Sequence, residues 1–266
     1  MNRMLPLLAA WLSIASPCAG ESLSLEVGTF SQMAPGDRQP DGWELLRPND
    51  NVPPTRFRLE VDGETTVVRA DADHSMAGLS YKTRVDVTRL PYLCWRWKIA
   101  APLISADLHI RQGDDYTARL YVLFDYDTRR LPLGTRLKLS ALRGLFNIDV
   151  PAAALNYVWD NRYPIGTVAP NAYTDRAMMW VLQSGADKAG RWVGEIRNLA
   201  DDFRRAFADE APAAVAVVIA SDTDNTGEKA TAWFGDIRFT ANPGVCAQQP
   251  VGRVSGPPRN PTIGGD

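Results

Sequence analysis

Apolar and polar residues alternate with a period of two through much of the chain. From Leu93 to Ile99, the residues Leu93, Trp95, Trp97 and Ile99 fall on one side and Cys94, Arg96 and Lys98 on the other, the signature of a strand with one buried face. Ala118 to Asp125 repeats it, with Leu120, Val122 and Phe124 opposite Arg119, Tyr121 and Leu123. Two runs, Thr55 to Glu60 and Thr65 to Ala70, flank Val61-Asp62-Gly63-Glu64. An Asp-Gly turn between such runs predicts a hairpin. Gly78 to Val87, Arg176 to Gln183 and Thr231 to Phe239 read as further strands. Ala213 to Ala220 is a continuous Val-rich apolar run, as expected of a central strand buried on both faces.

The helical period shows clearly in one place. Asn198 is a candidate cap, Leu199, Phe203, Ala206 and Phe207 form an apolar stripe, and Pro212 lies beyond the end, which predicts one amphipathic helix near 198–210. Ala152 to Trp159 reads as a short helix or an irregular segment. Ala34 to Thr55 is dense in Pro, Gly and Asp and predicts a loop, with Trp43 pinning it to the core. No internal repeat and no second domain is visible. Many short strands, breaker-rich turns and a lone helix predict an all-β, mainly antiparallel fold, a β-sandwich or jelly roll.

The ends of the chain qualify this picture. Asn2 and Arg3 precede an apolar run from Met4 to Ala15, followed by Ser16-Pro17-Cys18-Ala19-Gly20. That order predicts a secretory signal over 1–20, cut near residues 19–20, and a periplasmic or extracellular protein. The run is short of the ~20 residues a membrane span needs, and no later segment supplies one. Residues 21–240 are then one domain. Residues 241–266, rich in Pro and Gly, read as a flexible tail with little apolar surface to dock. Cys94 and Cys246 are left as a pair that an oxidising compartment lets join, although spacing alone fits a free buried Cys94 as well. The whole chain carries 29 Lys and Arg against 31 Asp and Glu. Their mixing, without a basic block, speaks against nucleic acid as a partner.

Several chemistries lack their usual marks. The two histidines, His74 and His109, form no His-Glu-x-x-His pair, and no Cys-x-x-Cys, Gly-x-Ser-x-Gly or Gly-rich phosphate loop occurs. Gly113-Asp114-Asp115-Tyr116-Thr117-Ala118-Arg119 places two adjacent acids at a strand entrance. Charged oxygens there suit Ca²⁺ or sugar hydroxyls, while a Gly-Asp turn paired with Arg119 accounts for the same residues structurally. Ser221-Asp222-Thr223-Asp224-Asn225-Thr226-Gly227-Glu228 opens like a calcium loop, with Asp222 and Asp224 as the candidate metal ligands. The EF-hand comparison fails at the twelfth position, which is Trp233. The structural alternative is a polar connection whose side chains satisfy local backbone groups. Asn156, Tyr157 and Trp159, with Asn171 and Tyr173 further on, interleave aromatics with amides. Such a mixture suits sugar faces and hydroxyls, and it equally seals a loop over a core.

Taken in order, Trp95-Arg96-Trp97, Gly113-Asp114-Asp115-Tyr116 with Arg119, Tyr121 and Phe124, Asn156-Tyr157-Trp159, Arg197-Asn198, Asp222 through Gly227, and Gly235-Asp236-Ile237 resemble a family of exported bacterial proteins known as domain of unknown function 3047. The resemblance runs roughly from Phe30 to Phe239. It implies export and brings no catalytic assignment. The strand pattern also resembles galactose-binding-like jelly rolls, a likeness of fold pattern from which function does not follow.

The resulting expectation is an exported domain that binds a polar ligand, a glycan above all, with Ca²⁺ as a candidate cofactor. Asp114, Asp115, Arg119, Asn156, Trp159 and Asn225 are the expected ligand contacts and Asp222 and Asp224 the metal ligands, with the two acidic loops at one end of the sandwich. A glycan-active enzyme built on a carboxylate pair, Asp115 with Asp224, is the second reading. It needs carboxyls ~5–5.5 Å apart for retention or ~6.5–9.5 Å for inversion. An envelope protein whose acids are all bonded internally and which docks a protein partner is the third.

Overall fold

The structure is a computed structural model that describes residues 23–145 and 152–248. In chain order its strands are β1 (Ser24–Gly28), β2 (Glu44–Leu46), β3 (Arg56–Asp62), β4 (Thr65–Asp73), β5 (Met76–Val85), β6 (Tyr92–Ile99), β7 (Arg119–Phe124), β8 (Ala154–Asp160), β9 (Val168–Pro170), β10 (Ala177–Ser184), β11 (Val193–Asn198), β12 (Ala214–Asp222), β13 (Lys229–Phe234) and β14 (Ile237–Thr240). Helix α1 (Leu133–Leu145) lies between β7 and β8, and α2 (Leu199–Phe207) between β11 and β12.

These strands form two sheets of seven. In the first, β6 pairs with β11 along one edge and with β13 and β14, end to end, along the other. β13 continues to β4 and then β3, and β14 to β1, all antiparallel. The second sheet runs β2-β5-β12-β7-β8-β10-β9. Its one parallel pair is β8 with β10. The fold is therefore all-β and mostly antiparallel, a sandwich with curled sheets, as the alternation predicts.

The core lies between the sheets and follows from the period of two. Trp95 and Trp97 of β6 point inward and meet Tyr157 and Trp159 of β8, with ring centroids 5.3 Å and 6.0 Å apart. Burying rings of this size is the main favourable contribution available to a sandwich. The hairpin β3–β4 turns on Gly63 at φ +65°, a conformation glycine adopts without a Cβ penalty. Trp43 is buried against Phe30 and Tyr81 and pins the segment before β3, where the expected loop is interrupted by β2 pairing with β5. Asn198 caps α2 by accepting from the Asp201 N–H, and Phe203 of α2 packs on Phe124 at the mouth of the core.

Four expectations change. Ala152 to Trp159 contributes the strand β8, buried at every position. Covered on both faces, it shows no alternation, and a short apolar run of that kind is ambiguous by periodicity. A second helix, α1, is present. Leu139 is its buried residue, set against Leu131 and Ala152, while Leu133 and Leu137 are exposed, so the sequence carries no clear stripe. The expected strand Thr231 to Phe239 is broken at Gly235-Asp236. The side chain of Arg96 crosses there, and a Cβ on residue 235 would lie 2.4 Å from its Nε. The start of the expected tail is tied down, because Cys246 is joined to Cys94 of β6, with Cα atoms 5.7 Å apart. The expected signal segment and the tail beyond 248 lie outside the described residues.

Candidate functional site

The outward face of the second sheet is hollow. Residues directly opposite in neighbouring strands share a face, so the register identifies its floor. Ala220 of β12 lies between Gly78 and Arg119, Val218 between Ser80 and Tyr121, and Ala216 between Lys82 and Leu123. Leu123 is followed by Ala154 of β8 and Ala177 of β10. Small residues at these positions leave a cleft of about 670 Å³. Leu46 and Pro48 wall it on one side, Tyr126 and Leu142 of α1 at the far end, and Tyr173 and Asn171 beside the acidic loops. That volume falls within the ~300–1,000 Å³ range of ligand pockets.

One end of the cleft is closed by an ion network centred on Arg119, which is 2% exposed. Its Nε donates to Asp222 Oδ1 at 2.9 Å. Nη1 donates to Asp114 Oδ1 at 3.3 Å and to the Tyr121 hydroxyl at 2.8 Å. Nη2 bonds the Asp114 carbonyl and the second oxygen of Asp222. All five guanidinium protons are therefore used, and the plane also stacks 4.7 Å from the Tyr116 ring. Asp222 accepts the Tyr116 N–H as well, at 3.0 Å, and the second oxygen of Asp114 accepts from Asn171 Nδ2 at 2.9 Å. Asp115 holds the neighbouring loop by accepting from Asn225 Nδ2, the Thr226 N–H and the Thr226 hydroxyl. Arg119 and these carboxylates lock the 113–118 and 222–227 segments together.

The two acidic loops thus meet at one end of the sandwich, and Asp114, Asp115, Arg119, Asp222, Asp224 and Asn225 form one cluster. Carboxylate oxygens of Asp115, Asp222 and Asp224 lie within 4.8 Å of one another. Burial pushes the carboxyls of Asp114 and Asp222 up, against the downward pull of Arg119, and Arg119 stays charged. Asp224 differs from its neighbours. Its Oδ1 is buried without a hydrogen-bond partner among the described residues. Burial, and then the charge of Asp115, push its carboxyl up to about 6.

Two expected contacts do not line the cleft. Asn156 lies on the cleft face of β8, opposite Tyr121, but it is fully buried and its Nδ2 points to the Met179 sulfur at 3.1 Å. Trp159 is a correction. It sits on the inward face of β8 against Trp97 and bonds the Gly185 carbonyl through Nε1, so it is a core residue away from the cleft. The floor itself is not among the sequence expectations. Its signal was present as Ala216 and Ala220 inside a run that reads only as doubly buried strand. Ala and Gly are depleted in strands, so their recurrence on one side marks a face left unfilled.

A family model described as "Protein of unknown function (DUF3047)" matches residues 41–238. No curated protein matches the chain. Among solved structures, the xyloglucanase domain of NopAA, a type three effector from Sinorhizobium fredii determined in complex with cellobiose, is similar over 77% of this chain and 97% of its own, at 11% identity and a TM-score of 0.38. An exo-beta-agarase is similar over 82% of this chain at 14% identity and a TM-score of 0.34, and the match spans 25% of that longer chain. Both likenesses are distant.

Proposed function

The chain belongs to the family Protein of unknown function (DUF3047), which hands down no activity, and we propose from its geometry that it binds a hydroxyl-bearing ligand, a glycan unit by preference, in the cleft of the second sheet without covalent chemistry. The observation that carries this reading is the 670 Å³ hollow closed at one end by a rigid polar wall. A site built on locked side chains loses little freedom when it binds. At that wall the Tyr121 hydroxyl accepts from Arg119 and retains its own proton to donate. Asp114 has lone pairs left beside those used by Arg119 and Asn171, because an ionised carboxylate accepts about four hydrogen bonds. Hydroxyls, which both donate and accept, match this set. The chain's export, expected from its first twenty residues, would place the site where envelope glycans are met.

Calcium enters this reading as an aid to the fold. Asp114 and Asp222 share the Arg119 guanidinium, carboxylate oxygens of Asp115 and Asp224 lie close to those of Asp222, and Asp224 carries an oxygen without a hydrogen-bond partner among the described residues. A cation beside Asp115, Asp222 and Asp224 would balance that excess. Thermal unfolding with free oligosaccharides, with Ca²⁺ and with EGTA tests both parts. A ligand at 100 times its dissociation constant stabilises by ~2.7 kcal/mol when it binds only the folded state. A shift with a sugar supports the binding site, and a fall in EGTA supports the cation. No shift with any sugar removes the binding reading.

One observation favours a second reading, a glycan-active enzyme. A carboxyl pushed up to about 6 is poised for proton transfer near neutral pH. Asp115 is less suited to act with it, since both its oxygens are engaged. Release of reducing ends from a glycan panel, abolished in Asp224→Asn, would replace binding with catalysis.

A further inference from the structure

We infer that the ligand of this cleft is an amphiphile, with an alkyl chain along the small-residue floor and a hydroxylated head against Asp114, Tyr121 and Asn171. The inference rests on the binding reading above and names its ligand class. It starts from the unequal chemistry of the two ends. The polar groups gather where β7 begins, at Arg119 and Tyr121. From Arg119 to the end of β7 at Phe124 the cleft follows five steps of strand, roughly 16 Å at the ~3.3 Å rise of a strand, before the chain turns at Tyr126.

Along that length the floor is Ala220, Val218, Ala216, Ala154 and Ala177, with Ser80 as its polar exception. Leu123 and Leu142 complete the walls, with Thr128 and Arg143 beside Leu142 at the far end. Of the charged groups at the rim, Lys82 bonds Glu44 and Asp125 bonds Arg84. A bare glycan extended through the trough would bring its hydroxyls against methyl groups and lose their hydration without replacement. An alkyl chain has no such groups to satisfy, and it transfers apolar surface out of water along its whole length. The head and the chain therefore suit opposite ends of the same cleft.

Calorimetric titration with maltose and with octyl, decyl and dodecyl maltoside, each below its micelle concentration, separates the two halves of the claim. Full burial of each added methylene raises affinity about fourfold, so a steep rise from octyl to dodecyl is expected. Ala216→Leu, at the far part of the floor, should remove most of the gain from the longer chains and leave octyl maltoside little changed. Tyr121→Phe should weaken all the glycosides by a similar factor. Thermal unfolding of each variant confirms that it is folded. Affinity that is independent of chain length, with maltose binding as well as its alkyl glycosides, overturns the amphiphile and leaves the binding reading intact. Equal affinity for dodecyl maltoside and dodecyl trimethylammonium keeps the alkyl chain and overturns the hydroxylated head, and with it the reading above. No binding of maltose or any glycoside overturns both.

Discussion

The two sheets present opposite outward faces. On the first, long charged side chains lie flat and pair. Arg58 bonds Asp71 at 2.6 Å and Glu60 at 3.1 Å, and Arg69 reaches the same two acids. Lys98 bonds Asp62 at 2.8 Å while its ammonium lies 4.4 Å from the Trp233 ring. The indole N–H groups of Trp233 and Trp192 donate to Glu60 and Asp62. Each charge has an opposite within reach, and the aliphatic stems and rings cover the backbone beneath. On the second sheet the equivalent positions are Gly78, Ala154, Ala177, Ala216 and Ala220. At Gly78 the close approach of Val218 asks for the missing side chain, but the alanines face away from the core, which lies on the other side of the sheet. A filled face needs only solvent as its partner, whereas the apolar hollow closed by a buried ion network is the feature on which the binding proposal rests.

Substitution sharpens this contrast, and the largest effect belongs to Arg119. In Arg119→Met the carboxylates of Asp114 and Asp222 stay buried without their guanidinium. Breaking a buried pair from one side costs ~3–5 kcal/mol, measured as a fall in the urea unfolding free energy. Ala220→Leu fills the floor beside Arg119. It should reduce affinity for a cleft ligand at least about tenfold, equivalent to ~1.4 kcal/mol, and leave the unfolding temperature of the free protein unchanged. On the first sheet, Arg58→Met breaks an ion pair that is about 30% exposed and should cost about 1 kcal/mol or less. If Arg58→Met proved as damaging as Arg119→Met, the difference between the faces would not hold.

The smallest effect is a pH dependence. Asp224 binds its proton more tightly in the folded state, with its carboxyl raised from 3.8 to about 6. Below about pH 4 both states are protonated and the group contributes no difference. As pH rises from about 4 to 6 the unfolded state ionises first, so the contribution of Asp224 lowers stability across that window and stays constant above it. Asp224→Asn removes this dependence. The variant should gain on the wild type between pH 4.5 and 7 in paired denaturant titrations, and Ca²⁺ should narrow the gap by stabilising only the wild type.

The same contrast explains how much the sequence shows in advance. β6 and β7 each have one face inward and one outward, and their alternation predicts both the strands and the inward Trp95 and Trp97. The two acidic segments were legible as a pair because turns next to buried strands concentrate Asp and Asn for local chemical reasons. Their meeting depends on β7 and β12 being neighbours, which no local pattern states. Trp159 was misplaced because β8 is covered on both sides, so an aromatic there looks alike whether it points to core or cleft. Helix α1 offered mostly exposed positions and therefore no stripe. The cleft was hidden for a different reason. It consists of volume that side chains do not occupy, and composition reports such a space only as alanine and glycine.

The central claim is that the hollow of the second sheet is a ligand site. Thermal unfolding of the wild type and of Ala220→Leu against one panel of free sugars and alkyl glycosides tests it most directly. We predict an upward shift for at least one ligand in the wild type, lost in the variant, with the two unliganded proteins unfolding at the same temperature. An equal shift in both proteins, or no shift in either, would contradict the claim.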